Sequence, residues 1–362
     1  MRKSRIPLLL VLISMSVALT ACTGAIPDRS WPESLVVDNT IYTASQSYIF
    51  AVDGETGKEL DPKRFPKDAE GATAFGSTPS LIDDQLYIGD YASQLRIVAK
   101  NLSSQSAIVK DATGRFLSSP VAFGDLILAA NADHNLYAFD KSLKLKWKFT
   151  AKNSIWTKPV IFDDLIFVSS TDKSVYALKQ NASKDGVDVV WSKDLGGSVF
   201  FSQTIDENGI LYIGTLNNEL FAIDAKSGNI NWQVKTAGTV WAPVVVLGDR
   251  LFAGDQSGKI FALNIKDGSQ VWEYDAGSPV IGGVAVRETS LFAGTQKGQA
   301  ICISKEDNPA NRMLWTKEVG GKLYSTPVFT QSYVVFGGME GDNTLTAIKF
   351  NGDSGWTFKP SK

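Results

Sequence analysis

From about residue 35 onward the chain is a succession of short runs in which β-branched, aromatic and small residues alternate, closed off by turn-forming clusters. Asp83-Asp84, Gly124-Asp125, Gly248-Asp249 and Lys226-Ser227-Gly228 are such clusters. Alternation with a period of two over four to six residues predicts strands, and nowhere does an apolar spacing of three and four persist beyond a turn. The pattern therefore predicts an all-β protein.

The runs also repeat. Leu211-Tyr212-Ile213-Gly214, Leu220-Phe221-Ala222-Ile223-Asp224, Gly228 and Trp232 return as Leu251-Phe252-Ala253-Gly254, Ile260-Phe261-Ala262-Leu263-Asn264, Gly268 and Trp272. Further copies carry Leu136-Tyr137-Ala138-Phe139-Asp140 with Trp147, and Val175-Tyr176-Ala177-Leu178 with Trp191. Trp147, Trp191, Trp232, Trp272, Trp315 and Trp356 step along the chain at intervals of 40 to 44. Two earlier units lack the tryptophan. One has Ile41-Tyr42-Thr43-Ala44, Phe50-Ala51-Val52-Asp53 and Gly57, with Leu60 or Asp61 near the tryptophan place, and the other has Leu86-Tyr87-Ile88-Gly89 and Leu95-Arg96-Ile97-Val98. Four strands in a period of about forty residues is the pattern of a propeller blade. Eight units predict one eight-bladed β-propeller of four-stranded antiparallel blades over 31–362, overruling the two or three domains that length alone suggests.

Each repeated position has a physical job. A ring next to alanine places a large and a small group on opposite faces of one strand, so that neighbouring blades interdigitate. The Asp or Asn that follows caps a turn through the backbone, and the glycine accepts positive φ. Each tryptophan on the outer part of a blade buries about 200 Å² against the next blade, worth several kcal/mol before entropy.

The first residues change the picture of where this propeller works. Arg2, Lys3 and Arg5 precede an apolar run from Ile6 to Leu19, the layout of a secretory signal peptide. Leu19-Thr20-Ala21-Cys22 then resembles the lipobox of bacterial lipoproteins. The resemblance implies a signal peptide over 1–21, a lipid on Cys22 and a short tether over 22–30. The apolar run is shorter than the roughly 20 residues of a spanning helix, so lipid would hold the protein to the membrane. The expected location is the outer face of a bacterial membrane: the cell surface, or the periplasmic face of the outer membrane in a two-membrane organism. Cys302, the other cysteine, leaves no disulfide framework and reads as a small core residue. Without the three leader cations, 33 Lys and Arg face 38 Asp and Glu, a mild acidity that argues against nucleic acid as the main partner.

The repeated phrase resembles that of the pyrroloquinoline quinone (PQQ) propeller superfamily: a strand, Ala-x-Asp, a Thr-Gly turn and a Trp. The resemblance covers essentially everything after Ser30. The superfamily includes quinoprotein dehydrogenases and lipoproteins similar to BamB, both eight-bladed, so the fold does not choose between catalysis and assembly.

Candidate chemistry is sparse. The single histidine, His134, falls in a turn matching Asp172-Lys173-Ser174 and Gln256-Ser257-Gly258, which leaves a Ser-His-Asp triad little support and excludes a multi-histidine metal site. No Cys pair, Gly-x-Ser-x-Gly elbow or phosphate loop is present. The pairs Asp83-Asp84 and Asp163-Asp164 occupy the same turn of different units, as solvated turns do. For the dehydrogenase branch the resemblance implies PQQ with calcium on the axis and an adjacent-cysteine disulfide over the ring; that cysteine pair is missing and the chain is short for such enzymes. The cofactor expectation is none.

One set of residues reads as a binding rim. Rings lie a few places before Pro, or its equivalent, ahead of several units: Phe75, Phe116, Trp156, Phe200, Trp241 and Tyr324, with Arg115, Lys158 and Lys322 nearby. If these segments line the axis, they crowd one mouth of the channel, where propellers usually bind. The packing alternative is that the rings fill space between blades. The leading expectation is a non-catalytic, lipid-anchored scaffold, a monomer within a larger complex, that binds envelope proteins or extended peptides. Similarity to BamB-type lipoproteins adds a role in outer-membrane protein assembly. A PQQ-dependent oxidoreductase and a carbohydrate-binding surface protein are the alternatives.

Overall fold

The computed structural model describes residues 34–67, 74–109 and 112–360. The leader, Cys22 and the tether lie outside the described residues. Thirty-two strands form eight antiparallel sheets of four consecutive strands each, spanning 34–65, 80–109, 121–150, 160–194, 204–235, 245–275, 285–318 and 328–358. No helix is present among the described residues. These eight sheets are the blades of one propeller, numbered here 1 to 8.

Blade 5 shows why the sequence folds this way. Its strands are Thr204–Ile205, Ile210–Thr215, Glu219–Asp224 and Ile230–Lys235. The first is very short because it faces the crowded axis, while the second and third carry the apolar alternation. Along the third strand, Phe221 joins the core shared with blade 4 and Ala222 the core shared with blade 6, as the ring-and-methyl alternation predicts. The hydrophobic core is thus a set of seams between neighbouring sheets.

The tryptophan of the fourth strand stitches each seam. Trp191, Trp232, Trp272, Trp315 and Trp356 donate their indole N–H to the carbonyls of Ala225, Ile265, Lys305, Phe350 and Gly54 in the following blade, at 2.7 to 3.2 Å. Four of these rings, all but that of Trp272, then cover a glycine of that blade's turn. A Cβ on Gly228 would lie 2.7 Å from the Trp191 ring, and one on Gly57 would lie 2.5 Å from that of Trp356. Both glycines also have positive φ, 72° and 69°, so neither space nor conformation admits a side chain. Before each glycine the aspartate closes the turn. Asp224 accepts from the amide and hydroxyl of Ser227, both at 2.7 Å, and Asp53 does the same with Thr56 at 2.8 Å. Those hydroxyls hold both carboxylates below the usual aspartate range.

The ring closes by the same means. Trp356 docks on blade 1, and Ile41, Phe50 and Val52 share a core with Val335, Leu345, Ala347 and Phe358. No strand is exchanged between blades 1 and 8.

One place departs from the sequence reading. In blade 1, Arg64 pairs with Phe50 as Gln233 pairs with Phe221. The position in register with the tryptophans is therefore Lys63, and Leu60, Asp61 and Pro62 form an enlarged bulge before it. In blade 2 the corresponding residue is Ala107, opposite Ile97. His134 is an exposed turn residue with φ 74°. Cys302 is buried, and burial pushes its thiol pKa up to about 11.

Candidate functional site

In a four-stranded meander, the link from the outer strand of one blade to the inner strand of the next crosses the face that carries the hairpins between second and third strands. Hydrogen bonds fix these links in one repeated register. The amides of Phe116, Ile155, Val199, Val280 and Leu323 donate to the carbonyls of Asp90, Asn131, Ser170, Asp255 and Thr295 in the preceding blade, at 3.0 to 3.4 Å. Side chains at this register position point down between blades. Phe116 is 1% exposed and Phe75, its counterpart ahead of blade 2, is 2% exposed. Both belong to interblade cores, so neither contributes to a rim.

One residue later the chain faces outward, and here lie Trp156, Phe200, Trp241 and Tyr324. The sequence reading merged two adjacent positions into one set, and along an extended segment one residue decides between core and surface. The outward position holds Gly76 ahead of blade 2, Leu117 ahead of blade 3 and Ile281 ahead of blade 7. Trp156 is exposed and Phe200, Trp241 and Tyr324 are half-buried, so the outward rings form an arc and not a complete collar.

The arc is continuous over blades 4 to 6. Trp156, 37% exposed, meets Phe200 edge-on with ring centroids 4.9 Å apart. Phe200 neighbours Phe201 at 6.3 Å, and Phe201 reaches Trp241 at 4.4 Å. Phe201 was absent from the sequence reading, although the doublet Phe200-Phe201 was its signal. Trp241 is braced by its indole N–H on the Gln256 side-chain oxygen at 3.0 Å, and exposed Leu216 lies on the hairpin of blade 5. Tyr324 stands apart, its hydroxyl accepting from the Gln296 side-chain amide at 2.9 Å.

The three cations do not converge. The Arg115 guanidinium lies 5.2 Å from the centroid of the Tyr91 ring, and Lys322 pairs with Glu340 at 2.6 Å. Lys158 is exposed beside the arc and has no ion-pair partner among the described residues. Its backbone links blades 4 and 5: its amide donates to the Ser202 hydroxyl at 2.9 Å and its carbonyl accepts from the Gln203 side chain at 3.4 Å. The arc is therefore an apolar surface with one exposed positive charge, Lys158, at its margin.

A quinone with calcium on the axis would need several hard oxygen ligands converging there. Among the described residues no three His, Cys, Asp or Glu side chains form such a set. The buried carboxylates of this face are committed elsewhere. Asp255 accepts from the Gly238, Ser257 and Lys259 amides at 2.9 to 3.0 Å and from the Ser257 hydroxyl at 2.6 Å. Asp90 accepts from the Gln94 amide at 2.9 Å and pairs with Arg96 at 3.2 Å, while burial raises its pKa against these contacts. The residues present do not fit that pair of groups.

Residues 183–282 and 276–362 match the family described as "Outer membrane protein assembly factor BamB". The chain is a BamB-like propeller of PQQ-type repeats. The matched segments span blades 5 to 8 and the outer strand of blade 4, where the tryptophan stitch is complete. Among solved structures, BamB from Moraxella catarrhalis superimposes with a TM-score of 0.72 at 14% identity, over 88% of this chain and 96% of that one. The computationally designed Ika8 protein gives 0.73 at 12% identity over the same shares. Sqt1 from Saccharomyces cerevisiae gives 0.66 at 12% identity, over 78% and 83%. At such identities the likeness establishes the fold alone. No curated protein sequence matches this BamB-like chain.

Proposed function

We propose that this propeller is a non-catalytic scaffold of the bacterial cell envelope, held at the outer face of a membrane by lipid on Cys22, that takes part in outer-membrane protein assembly. Its contact surface for a partner polypeptide is the arc of Trp156, Phe200, Phe201 and Trp241. The observation that carries this reading is the arc itself, four rings in unbroken contact on the solvent side of three rigid blades. Partly exposed aromatic clusters of this kind supply the anchors that dominate protein interfaces. The family match to an outer-membrane assembly factor supports the biological setting.

The test is crosslinking from native membranes with a photoreactive residue at Lys158, in the wild-type background and with Trp156→Ser and Trp241→Ser together. Recovery of barrel-assembly subunits that the double variant loses supports the proposal. Recovery of transporters or sugar-processing enzymes redirects it. Turnover in a dye-linked oxidation assay after reconstitution with PQQ and calcium overturns the non-catalytic reading.

A further inference from the structure

Six of the eight seams have their stitching position filled by tryptophan, and a seventh is stitched from another strand. Five carry the tryptophan with its hydrogen bond. In the seam between blades 3 and 4, Trp147 is buried although its N–H has no partner. In the seam between blades 2 and 3 the tyrosine of the second strand substitutes, with the Tyr87 hydroxyl donating at 3.1 Å to the carbonyl of Lys141. Lys141 follows Asp140 as Ala225 follows Asp224, so hydroxyl and indole serve the same acceptor.

The seam between blades 1 and 2 has neither. By the same register its acceptor is the carbonyl of Lys100, which no donor reaches among the described residues. A cavity of about 460 Å³ lies at that place, lined by Tyr42, Ala51, Leu60 and Pro62 from blade 1 and by Lys100 and Asn101 from blade 2. Each wall has a counterpart in an occupied seam. Tyr42 corresponds to Tyr212, whose ring lies 5.8 Å from Trp232, and Ala51 to Ala222, which pairs with Trp232. The Tyr42 hydroxyl also makes no hydrogen bond among the described residues.

We infer that this cavity is a receptor site for the indole side chain of a tryptophan presented by another polypeptide. Five copies of the site within the same molecule define the ligand: a flat ring that slides between blades and an N–H aimed at a turn carbonyl. Burying such a ring and pairing a lone carbonyl both favour occupancy. The cavity's size is within the usual range for ligand sites, roughly 300 to 1,000 Å³. Polar groups at its margin, from Thr40, Gln85 and Asn101, suit the amides of an extended chain better than a small hydrocarbon. The site opens on the face opposite the aromatic arc, since Asp84-Gln85 and Ala99–Asn101 belong to the turns after first and third strands. It does not depend on the function proposed above.

The experiment uses the whole chain and a seven-residue peptide with a central 5-fluorotryptophan, followed by fluorine NMR so that the protein's nine tryptophans are silent. Controls are the same peptide with alanine at the centre, added as a competitor of the fluorinated peptide, and free 5-fluoroindole. Two variants block the cavity: Lys63→Trp restores the stitching residue in its register position, and Asn101→Trp closes the rim from an exposed turn. Expected are saturable binding of the tryptophan peptide at fragment strength, on the order of 0.1 to 1 mM, no binding of the alanine peptide, and weakening of about tenfold or more in both variants. Should Lys63→Trp fail to fold, Asn101→Trp decides alone. Absence of binding, binding unchanged by Asn101→Trp, or free fluoroindole binding more tightly than the peptide overturns the inference.

Discussion

Blades 1 and 2 and blades 4 to 8 are built on the same meander, yet their seams are held differently. In the later blades one indole fills the seam and satisfies a carbonyl, and in four of the five seams it also covers a glycine. In blade 2 these tasks are divided. Tyr87 supplies the hydrogen bond to Lys141, while Leu143 and the stacked rings of Tyr137 and Phe139, 5.6 Å between centroids, supply the packing. In blade 1 the bulge at 60–62 removes the stitching residue and leaves a cavity. The comparison teaches that the ring needs most seams sealed and not all of them, and that a tryptophan is one of several ways to seal a seam.

The largest expected effect comes from breaking a complete seam. Trp232→Ala removes a buried ring and orphans the Ile265 carbonyl, and should cost about 3 to 5 kcal/mol in denaturant unfolding. A loss below about 1 kcal/mol would mean that the seam is not where the stability lies. A finer contrast uses Trp→Phe at two seams. Trp232→Phe gives up a 2.7 Å hydrogen bond, whereas Trp147→Phe gives up a buried N–H with no partner. The first should be the costlier by about 1 kcal/mol, read as the difference between the two denaturation free energies. Tyr87→Phe tests whether the hydroxyl takes over the role of the indole, with a loss of about 0.5 to 1.5 kcal/mol expected and no loss if the contact to Lys141 is incidental.

The smallest effect is on the turns beneath the tryptophans. The Ser227 hydroxyl holds the Asp224 pKa below its ordinary value. A carboxylate with a lowered folded-state pKa contributes fully above the unfolded pKa, and the contribution is lost as pH falls through that value toward the folded one. Thermal melts of wild type and Asp224→Asn should therefore differ most near neutrality and converge as pH drops from about 5 toward about 3. Parallel curves at all pH values would remove the aspartate's charge from the account.

The architecture was legible because the repeat carries its own alignment. Six tryptophans at intervals of 40 to 44 residues mark the seams, and alternation assigns each side chain to one of two cores. The binding surface was only half legible. Rings ahead of each blade were visible in the sequence, but their faces depend on interblade hydrogen bonds from the amides of Phe116, Ile155, Val199, Val280 and Leu323, which no single unit predicts. Phe75 and Phe116 thereby fall inside while Trp156 and Phe200 fall outside. The open seam was hidden for a different reason, since locating it requires knowing that Arg64 pairs with Phe50 across a bulge of unusual length.

Among the described residues, closure between blades 8 and 1 relies on side chains, with every sheet drawn from one uninterrupted stretch of polypeptide. The circle accordingly has no privileged origin. Joining the present termini and opening the backbone at another connection, such as that between Lys235 and Val245, would leave all eight sheets whole and all eight junctions unchanged. A cyclically rearranged version should reach the same shape, with its ends relocated to whichever sector of the disc an experimenter needs for attachment.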